Sequence, residues 1–253
     1  FFFKQKTAYE IPKRDWSSDV CSSDLGDATS MFAAIGTGAM KQVTYNPGVF
    51  DVQDIEQARR IILTKEAEVG TDERWTTETP YVADLIHQAL ALTPNSVVID
   101  YGCGIGRLAR ELIARHSCRV VGVDISASMR ALSAIYVQSD RFVACTPDML
   151  DALVARGFRA DAAYSIWVLQ HCLRPAEDVG LIDRSLRPGA GLFVMNCVHR
   201  AVPTKEAHWV NDGIDIRAML GETFPVVTEG KPSSEKVAHH PSGDFWAHLR
   251  KPG

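Results

Sequence analysis

The stretch VVIDYGCGIGRLARELI, residues Val97 to Ile113, decides the fold of this chain. An apolar run leads into three alternating glycines, Gly102, Gly104 and Gly106, and then into a segment of helical periodicity. Glycine allows a positive φ and close approach of the backbone to a ligand. In an open parallel sheet, the first turn from strand to helix is the usual ligand site. The stretch therefore predicts a strand, a ligand-binding loop and a helix.

The chain that follows repeats this alternation of strand and helix. Short apolar runs alternate with amphipathic segments from Ser96 onward, as expected for strands buried on both faces of a parallel sheet. We therefore expect an α/β fold with a doubly wound, mostly parallel seven-stranded sheet in residues 96–253. Strands are predicted near SVVIDY, RVVGVD, RFVAC, DAAYSI, GLFVMN, PVVTE and DFWAHLR, and helices at RLARELIAR, SASMRALSAIYV, DMLDALVAR, PAEDVGLIDRSL and DIRAML.

Residues 26–95 show a helical pattern with breaks and are predicted to form an accessory region that acts as a lid. The segment DIEQARRIILTKEAE places Ile55, Ala58, Ile62 and Ala67 near one helical face. The dipeptide Thr79-Pro80 is predicted to open the helix YVADLIHQALAL, with the threonine as cap and the proline in the first turn.

Residues 1–25 have no helical or strand periodicity and resemble the translation of a short-read sequencing adapter. Two adapter segments encode KQKTAYE and DWSSDVCSSD in this order and at this spacing. We therefore expect a non-native, disordered segment that replaces the authentic start of the protein. A disordered natural leader is the alternative.

Composition excludes several classes of function. The 253 residues are 46% hydrophobic with a formal net charge of -4, and no apolar run reaches the roughly 18 residues that a membrane span needs. A basic stripe for nucleic acid is also missing, so we expect a small-molecule or protein partner, no nucleic acid and no membrane. The six cysteines occur singly, without CxxC pairs, which indicates reduced thiols in the cytoplasm and no metal site.

Two carboxylates indicate the ligand of the glycine loop. A dinucleotide site needs G-x-G-x-x-G, but here the third glycine comes one residue early and Arg107 occupies the last position. Asp100, at the end of the first strand, would repel a diphosphate and attract an ammonium group. Asp124, at the end of the second strand, can accept both hydroxyls of a ribose. The ligand is therefore predicted to be a zwitterion that carries a ribose.

The motif D-x-G-x-G-x-G followed by G-V-D-I-S resembles the class I S-adenosylmethionine-dependent methyltransferases, and the likeness extends from Val97 to Asn196. The resemblance implies a Rossmann-like methyltransferase fold with S-adenosylmethionine as cofactor. It places Gly102, Cys103 and Gly104 against the methionine moiety, Asp100 near its ammonium, Asp124 on the ribose, Ile125 on adenine, Asp148 on the exocyclic amine and Met149 in a backbone contact. Two alternatives remain: Asp148 caps a helix, and Ile125 belongs to the core.

Methyl transfer from a sulfonium depends mostly on positioning and desolvation. If the acceptor is a hydroxyl or a protonated amine, a base near pKa 7 helps, and His171 after the fourth strand is the candidate. The alternative is that His171 only bonds the backbone. The acceptor pocket is predicted to involve Trp75, Trp167, Gln170, Asn196 and His199. The segment HWVNDG, at 208–213, is a polar-aromatic cluster with an equal claim to be a turn.

The preferred function is therefore transfer of a methyl group from S-adenosylmethionine to a small molecule. The alternatives are a nucleic-acid or protein methyltransferase and a non-catalytic regulator that binds the cofactor. An NAD-dependent oxidoreductase is opposed by the glycine spacing and by Asp100. The identity of the acceptor, the methylated atom and the oligomeric state stay open.

Overall fold

A computed structural model describes residues 44–66, 68–206, 209–238 and 243–253. Its main sheet has seven strands in the order β3-β2-β1-β4-β5-β9-β8; β1 to β5 and β8 run in one direction, and β9 runs antiparallel to its neighbours β5 and β8. This confirms the predicted fold class. The strands are β1 Val97–Tyr101, β2 Arg119–Val123, β3 Phe142–Cys145, β4 Ala160–Ile166, β5 Leu186–Cys197, β8 Val226–Gly230 and β9 Asp244–Arg250, and the pair β6 Val202–Pro203 and β7 Trp209–Val210 forms a separate small sheet.

Helices cover both faces of the sheet. Strand β1 shows why its sequence is continuously apolar: Val98 packs into the core under one face and Ile99 into the core under the other, and both are fully buried. The helices are α1 Ile55–Ile62, α2 Thr71–Leu90, α3 Arg107–His116, α4 Ala127–Val137, α5 Pro147–Ala155, α6 Pro175–Ser185 and α7 Ile216–Thr223, with short 3-10 helices at Pro47–Phe50 and Leu169–His171.

The predicted start of α2 is wrong. The helix begins at Thr71 rather than at Thr79, and Pro80 lies inside it. An interior proline removes one backbone hydrogen bond and is normally unfavourable. Here the added turns bury an ion pair between Arg74 and Glu78, with Nε 2.6 Å from Oε1, and this tertiary contact outweighs the local signal. The rest of α2 packs into the main core.

Residues 44–54, which we call the N-terminal segment, cross the carboxyl edge of the sheet and form hydrogen bonds with two other parts of the chain. The Asn46 amide donates to the Pro203 carbonyl at 2.9 Å. The Val52 amide donates to Ser128 Oγ at 2.9 Å, and Ser126 Oγ lies 3.1 Å from Asp51 Oδ1. These contacts hold the segment 44–54 over the ends of the strands, where the ligand is expected.

The helix predicted over DIEQARRIILTKEAE is shorter than expected: α1 ends at Ile62, and residues 63–66 are not helical, because the backbones of Glu66 and Val69 bond to each other. Residues 1–25 lie outside the described residues, as does Ala67, so the adapter resemblance stays a prediction. None of the helices in the described ranges is long and apolar enough to cross a membrane. Within the same ranges no three His, Cys, Asp or Glu side chains are grouped to hold a metal ion.

Candidate active site

A cavity of about 1330 Å³ lies at the carboxyl ends of β1, β2 and β4. Its floor is the glycine loop, and its roof is the N-terminal segment together with α1. Ligand pockets in proteins usually have about 300–1,000 Å³, so this volume is sufficient for two ligands side by side. The side chains that close it come from all parts of the chain and include Tyr45, Phe50, Ile62, Asp124, Asp148, Trp167, His171, Asp178 and Trp209.

The glycine loop approaches the cavity with its backbone. Gly102 and Gly104 line the cavity with φ angles of +82° and +53°, a region that favours glycine. The amides of Gly102 and Cys103 both donate to the Val123 carbonyl, at 2.7 and 3.0 Å. Because these donors are already used, they are not free to bind a diphosphate. This geometry agrees with the argument against a dinucleotide.

Two predicted cofactor residues lie beneath the loop rather than in the cavity. Asp100 points to the face of the sheet that carries α3 and does not line the cavity. Burial raises the pKa of Asp100 to about 7, while Tyr164 and Arg107 oppose the rise. The thiol of Cys103 is buried against the Gly104 carbonyl at 3.5 Å, and burial raises its pKa. Contacts of Asp100 and Cys103 with a ligand therefore stay predictions.

Asp124 lies where the sequence predicts a ribose site. It follows β2 and lines the cavity, with Oδ2 accepting from the Gly104 amide at 2.8 Å and Oδ1 from the Ser126 amide at 2.9 Å. Burial raises the pKa of Asp124, and these amide donors oppose the rise. Each oxygen keeps a lone pair. The carboxylate is therefore fixed in place and can still accept two hydroxyls.

Of the three residues expected near adenine, Ile125 and Asp148 line the cavity and Met149 does not. Ile125 is 48% exposed and lines the cavity, so it is not a core residue. Asp148 also lines the cavity and is not the cap of α5, because Thr146 Oγ1 accepts from the Met149 amide at 3.1 Å. That bond occupies the amide of Met149, whose side chain is outside the cavity. The amide of Met149 is therefore already bound, and a backbone contact of Met149 with a ligand stays a prediction.

Of the five predicted acceptor residues, Trp167 and Gln170 line the cavity. Trp167 has a φ of +61°, an uncommon value for a bulky residue and one that is often found at functional sites. Gln170 is 5% exposed, and its Oε1 accepts from the Cys197 amide at 3.1 Å. Gln170 therefore joins the ends of β4 and β5 and also forms part of the cavity wall.

The other three predicted acceptor residues lie elsewhere, which corrects the sequence-based assignment. Asn196 is fully buried, and its Nδ2 donates to the Cys197 carbonyl at 2.9 Å, so its role is structural. His199 is exposed and does not line the cavity. The indole of Trp75 donates to the Tyr136 hydroxyl at 3.1 Å and packs away from the cavity.

His171 lies in the cavity wall in a defined tautomer. Its Nδ1 is 2.7 Å from the Ala201 carbonyl, which can only accept, so Nδ1 carries the proton. Nε2 is then an acceptor and lies 3.3 Å from the side-chain amide of Gln170. Burial lowers the pKa of His171 to about 4. The imidazole is therefore neutral near pH 7 and is a weaker base than the sequence suggests.

This lowered pKa gives a testable pH dependence of stability. A His whose folded-state pKa lies below 6.5 contributes stability above pH 6.5 and loses it as the pH falls towards 4. We expect the free energy of unfolding to fall by about 1–2 kcal/mol more in the wild type than in His171→Asn between pH 7 and pH 5. Urea unfolding at both pH values measures this. His199→Asn is the exposed control, and equal losses in all three proteins would contradict the assignment.

Several cavity residues were missed by the sequence argument. The Tyr101 hydroxyl donates to Asp178 Oδ1 at 2.5 Å, across 77 positions of the chain. The rings of Phe50, His171 and Trp209 are in mutual contact, with centroids 5.2–6.4 Å apart. We call these three rings the aromatic corner. No local pattern marks such contacts, because each partner comes from a different element.

The segment 208–213 contributes both to the cavity and to its support. Trp209 lines the cavity, whereas His208 lies outside the described residues. Asp212 accepts two hydrogen bonds from Arg200, each at 3.0 Å, and the side chain of Arg200 is fully buried. Asn211 Oδ1 accepts from the Gly213 amide at 3.0 Å, as in a turn. Within this segment, Trp209 therefore belongs to the cavity wall and Asn211 to a turn.

Comparison with known proteins finds similarity to methyltransferases. The sequence pattern of the methyltransferase-domain family matches residues 74–226. A ubiquinone biosynthesis O-methyltransferase of Methylobacterium sp. (strain 4-46) is 31% identical over 106 residues, or 42% of each protein. A tRNA U34 carboxymethyltransferase of Saccharophagus degradans (strain 2-40 / ATCC 43961 / DSM 17024) is 23% identical over 62% of this chain and 44% of that protein.

The fold has close structural counterparts. A geranyl diphosphate methyltransferase in complex with S-adenosylmethionine superposes with a TM-score of 0.54 at 16% identity, over 83% of this chain and 96% of that one. At this identity the likeness concerns the fold alone. The chain spans less than half the length of these two curated relatives, the O-methyltransferase and the carboxymethyltransferase.

Proposed function

This chain belongs to the methyltransferase-domain family, and we propose that it transfers the methyl group of S-adenosylmethionine to a small-molecule acceptor held in the cavity. The observation that carries the proposal is the single cavity that joins the glycine loop and Asp124 to the aromatic corner. One end has the groups that an amino acid and a ribose require. The other end is available for a second ligand.

The cofactor end fits the proposed cofactor in shape and charge. Gly102 and Gly104 let the methionine part approach the backbone, and Asp124 has two free acceptor positions for the ribose hydroxyls. Ile125 offers an exposed apolar surface for the adenine ring. The Asp148 carboxylate, which forms no hydrogen bond or ion pair with any described residue, can accept from the exocyclic amine. These five residues all line the cavity.

The charge of the walls supports a small acceptor rather than a nucleic acid. Among the residues that the structure describes, nine Asp or Glu side chains line the cavity, against six Lys or Arg side chains, so the acidic groups predominate. A polyanion approaching these groups would be repelled, and recognition of nucleic acid normally relies on a basic surface. The segment 44–54 also roofs the cavity. A small molecule can enter such a space more readily than an RNA stem.

The residues of the chain would act by positioning. Bound S-adenosylmethionine supplies an activated methyl carbon, so the protein has to align the acceptor and exclude water. The floor of the cavity is rigid, because the glycine loop is bonded to Val123 and Asp124. The N-terminal segment and Trp209 cover the opposite side. His171 contributes a neutral ring to this wall rather than a strong base.

Asp124→Ala tests the cofactor end. We expect the variant to bind S-adenosylmethionine about 10- to 100-fold more weakly, because it loses charge-assisted hydrogen bonds worth about 1–3 kcal/mol. Calorimetric titration measures the affinity. Asp140→Ala, an exposed substitution outside the cavity, is the control and should bind like the wild type. Unchanged affinity in Asp124→Ala would remove Asp124 from the site.

A macromolecular acceptor is the second candidate, because one relative carries the name of a tRNA-modifying enzyme. Release of S-adenosylhomocysteine over a panel of small amines, alcohols and acids, with bulk tRNA as a further acceptor, separates the two. Turnover of tRNA alone would contradict the proposal. Tight cofactor binding without turnover of any acceptor would instead favour a non-catalytic regulator.

A further inference from the structure

The end of the cavity away from Asp124 is built from aromatic rings. In the aromatic corner the ring planes of Phe50, His171 and Trp209 are inclined to one another by 51–56°. Inclined rings form a concave surface rather than a flat stack. Such a surface can surround a cation, which is attracted by the electron-rich ring faces. Tyr45 adds a fourth ring to the same cavity.

The cations near the aromatic corner are bound by other groups, although the charge of Arg200 contributes to the lowered pKa of His171. The only imidazole in the aromatic corner is neutral near pH 7, because Nδ1–H is bound to the Ala201 carbonyl and burial opposes a second proton. Arg200 lies behind the wall, where Asp212 and the Leu169 carbonyl bind its guanidinium. Arg174 is largely exposed and pairs with Glu177. Arg184, on the same helix as Asp178, also lines the cavity and pairs with Asp151 at 2.9 Å.

A carboxylate without a cationic partner completes this end of the cavity. Asp178 lines the cavity from α6 and is half-buried. It accepts from the Tyr101 hydroxyl, and the thiol of Cys172 lies beside it, but it takes part in none of the ion pairs of the described chain. Burial raises the pKa of Asp178, while the hydrogen bonds from Tyr101 and Cys172 and the more distant charge of Arg174 oppose the rise. A cationic ligand would compensate the charge of this carboxylate.

From this combination of rings and carboxylate we propose that the methyl acceptor is a primary or secondary amine, bound as its ammonium form between the aromatic corner and Asp178. The inference rests on the proposed function. The ammonium gives one proton to the Asp178 carboxylate, and the freed nitrogen lone pair forms the new N–C bond to the methyl group. The C–S bond breaks, and its electron pair stays on sulfur. The products are S-adenosylhomocysteine and the methylated ammonium, and the proton passes from Asp178 to water.

The same rings could instead serve the sulfonium of the cofactor. The test therefore uses protein saturated with S-adenosylhomocysteine, whose sulfur is uncharged, so that the cofactor contributes no cation of its own. The probes are choline and its uncharged carbon analogue 3,3-dimethylbutan-1-ol, which have the same shape. Binding is measured by calorimetry and thus does not depend on turnover.

We expect the loaded wild type to bind choline at least about tenfold more tightly than the carbon analogue, as an aromatic site with a carboxylate should. Trp209→Leu and Asp178→Asn should each reduce this preference by about fivefold or more. Two matched controls should keep the wild-type preference for choline. Trp246→Leu changes an indole outside the cavity, and Asp183→Asn changes a carboxylate of α6 that pairs with Lys251. Melting curves of all four variants identify any that fail to fold, and Trp209→Phe then replaces Trp209→Leu.

Equal affinity for the two probes, or no measurable binding of choline, would overturn the inference. So would turnover of alcohols without turnover of amines of the same carbon skeleton. A protein that does not bind S-adenosylhomocysteine at all would contradict the proposed function instead. The two failures are therefore distinguishable.

Discussion

Gly102→Ala is expected to remove cofactor binding and to lower the free energy of unfolding by about 2–5 kcal/mol, the sum of a left-handed backbone cost of about 1–2 and an overpacking cost of about 1–3. The φ of Gly102 is +82°, and a Cβ at this position would lie 2.1 Å from Val168 Cγ2. Relief of this overlap requires the loop to move away from β4. Such a movement also changes the floor of the cavity on which the methionine moiety is predicted to lie.

Gly157→Ala is the matched control for this substitution. Gly157 also has a positive φ, +94°, but nothing lies within 4 Å of a Cβ added there, and the residue is outside the cavity. In Gly157→Ala the free energy of unfolding should fall only by the backbone cost of about 1–2 kcal/mol. The variant should bind S-adenosylmethionine with the affinity of the wild type. Urea unfolding and calorimetry measure the two effects. If both alanine variants behaved alike, the close contact between the loop and Val168 would not be important.

Asp212→Ala is expected to have the second large effect, a loss of about 3–4 kcal/mol of folding free energy. It leaves the guanidinium of Arg200 buried without its carboxylate, and uncompensated buried charges typically cost about 3–5 kcal/mol. We use the lower part of this range because the side chain of Asp212 is 36% exposed. Burial raises the pKa of Asp212, but the hydrogen bonds from Arg200 outweigh it and the pKa is lowered. The stabilisation is therefore present above about pH 4 and lost as the pH falls through the lowered pKa.

The double variant Arg200→Met with Asp212→Ala provides the control for this pair. Removal of both charges eliminates the uncompensated guanidinium, so the double variant should be more stable than Asp212→Ala alone. Glu229→Ala removes the partner of Arg217 in a pair that is exposed on both sides, and it should cost less than about 1 kcal/mol. A small cost for Asp212→Ala, similar to that of Glu229→Ala, would show that Arg200 finds water or another acceptor.

The sequence predicted the cofactor half of the cavity better than the acceptor half. Asp124, Ile125 and Asp148 each follow or begin an element whose position in a parallel sheet is fixed by strand order. Local spacing therefore brings them to one edge. Asp100 does not line the cavity, because alternation along β1 turns its side chain to the face that carries α3, and its contact with a ligand stays a prediction. Arg107, which the spacing marked only as a missing glycine, lines the cavity instead.

The residues predicted for the acceptor half of the cavity take positions that depend on tertiary contacts. Asn196 lies within β5, near its end, and is fully buried, whereas His199 follows β5 and is exposed. Trp75 lies on a helix that begins earlier than predicted, and its indole is bound by Tyr136. Neither outcome follows from residue type or spacing. These positions depend on contacts with residues that become neighbours only when the chain folds.

The sequence by itself determined the strands, the glycine turn and the order of the motifs, because these depend on the periodicity and conformational preference of residues close together in the chain. Only the tertiary structure decided that Phe50, His171 and Trp209 meet, that Tyr101 binds Asp178, and that α2 continues through Pro80. Those contacts join residues far apart in sequence, or outweigh a local preference by buried packing and pairing. Their free energy exists only once the sheet has brought the partners within contact distance.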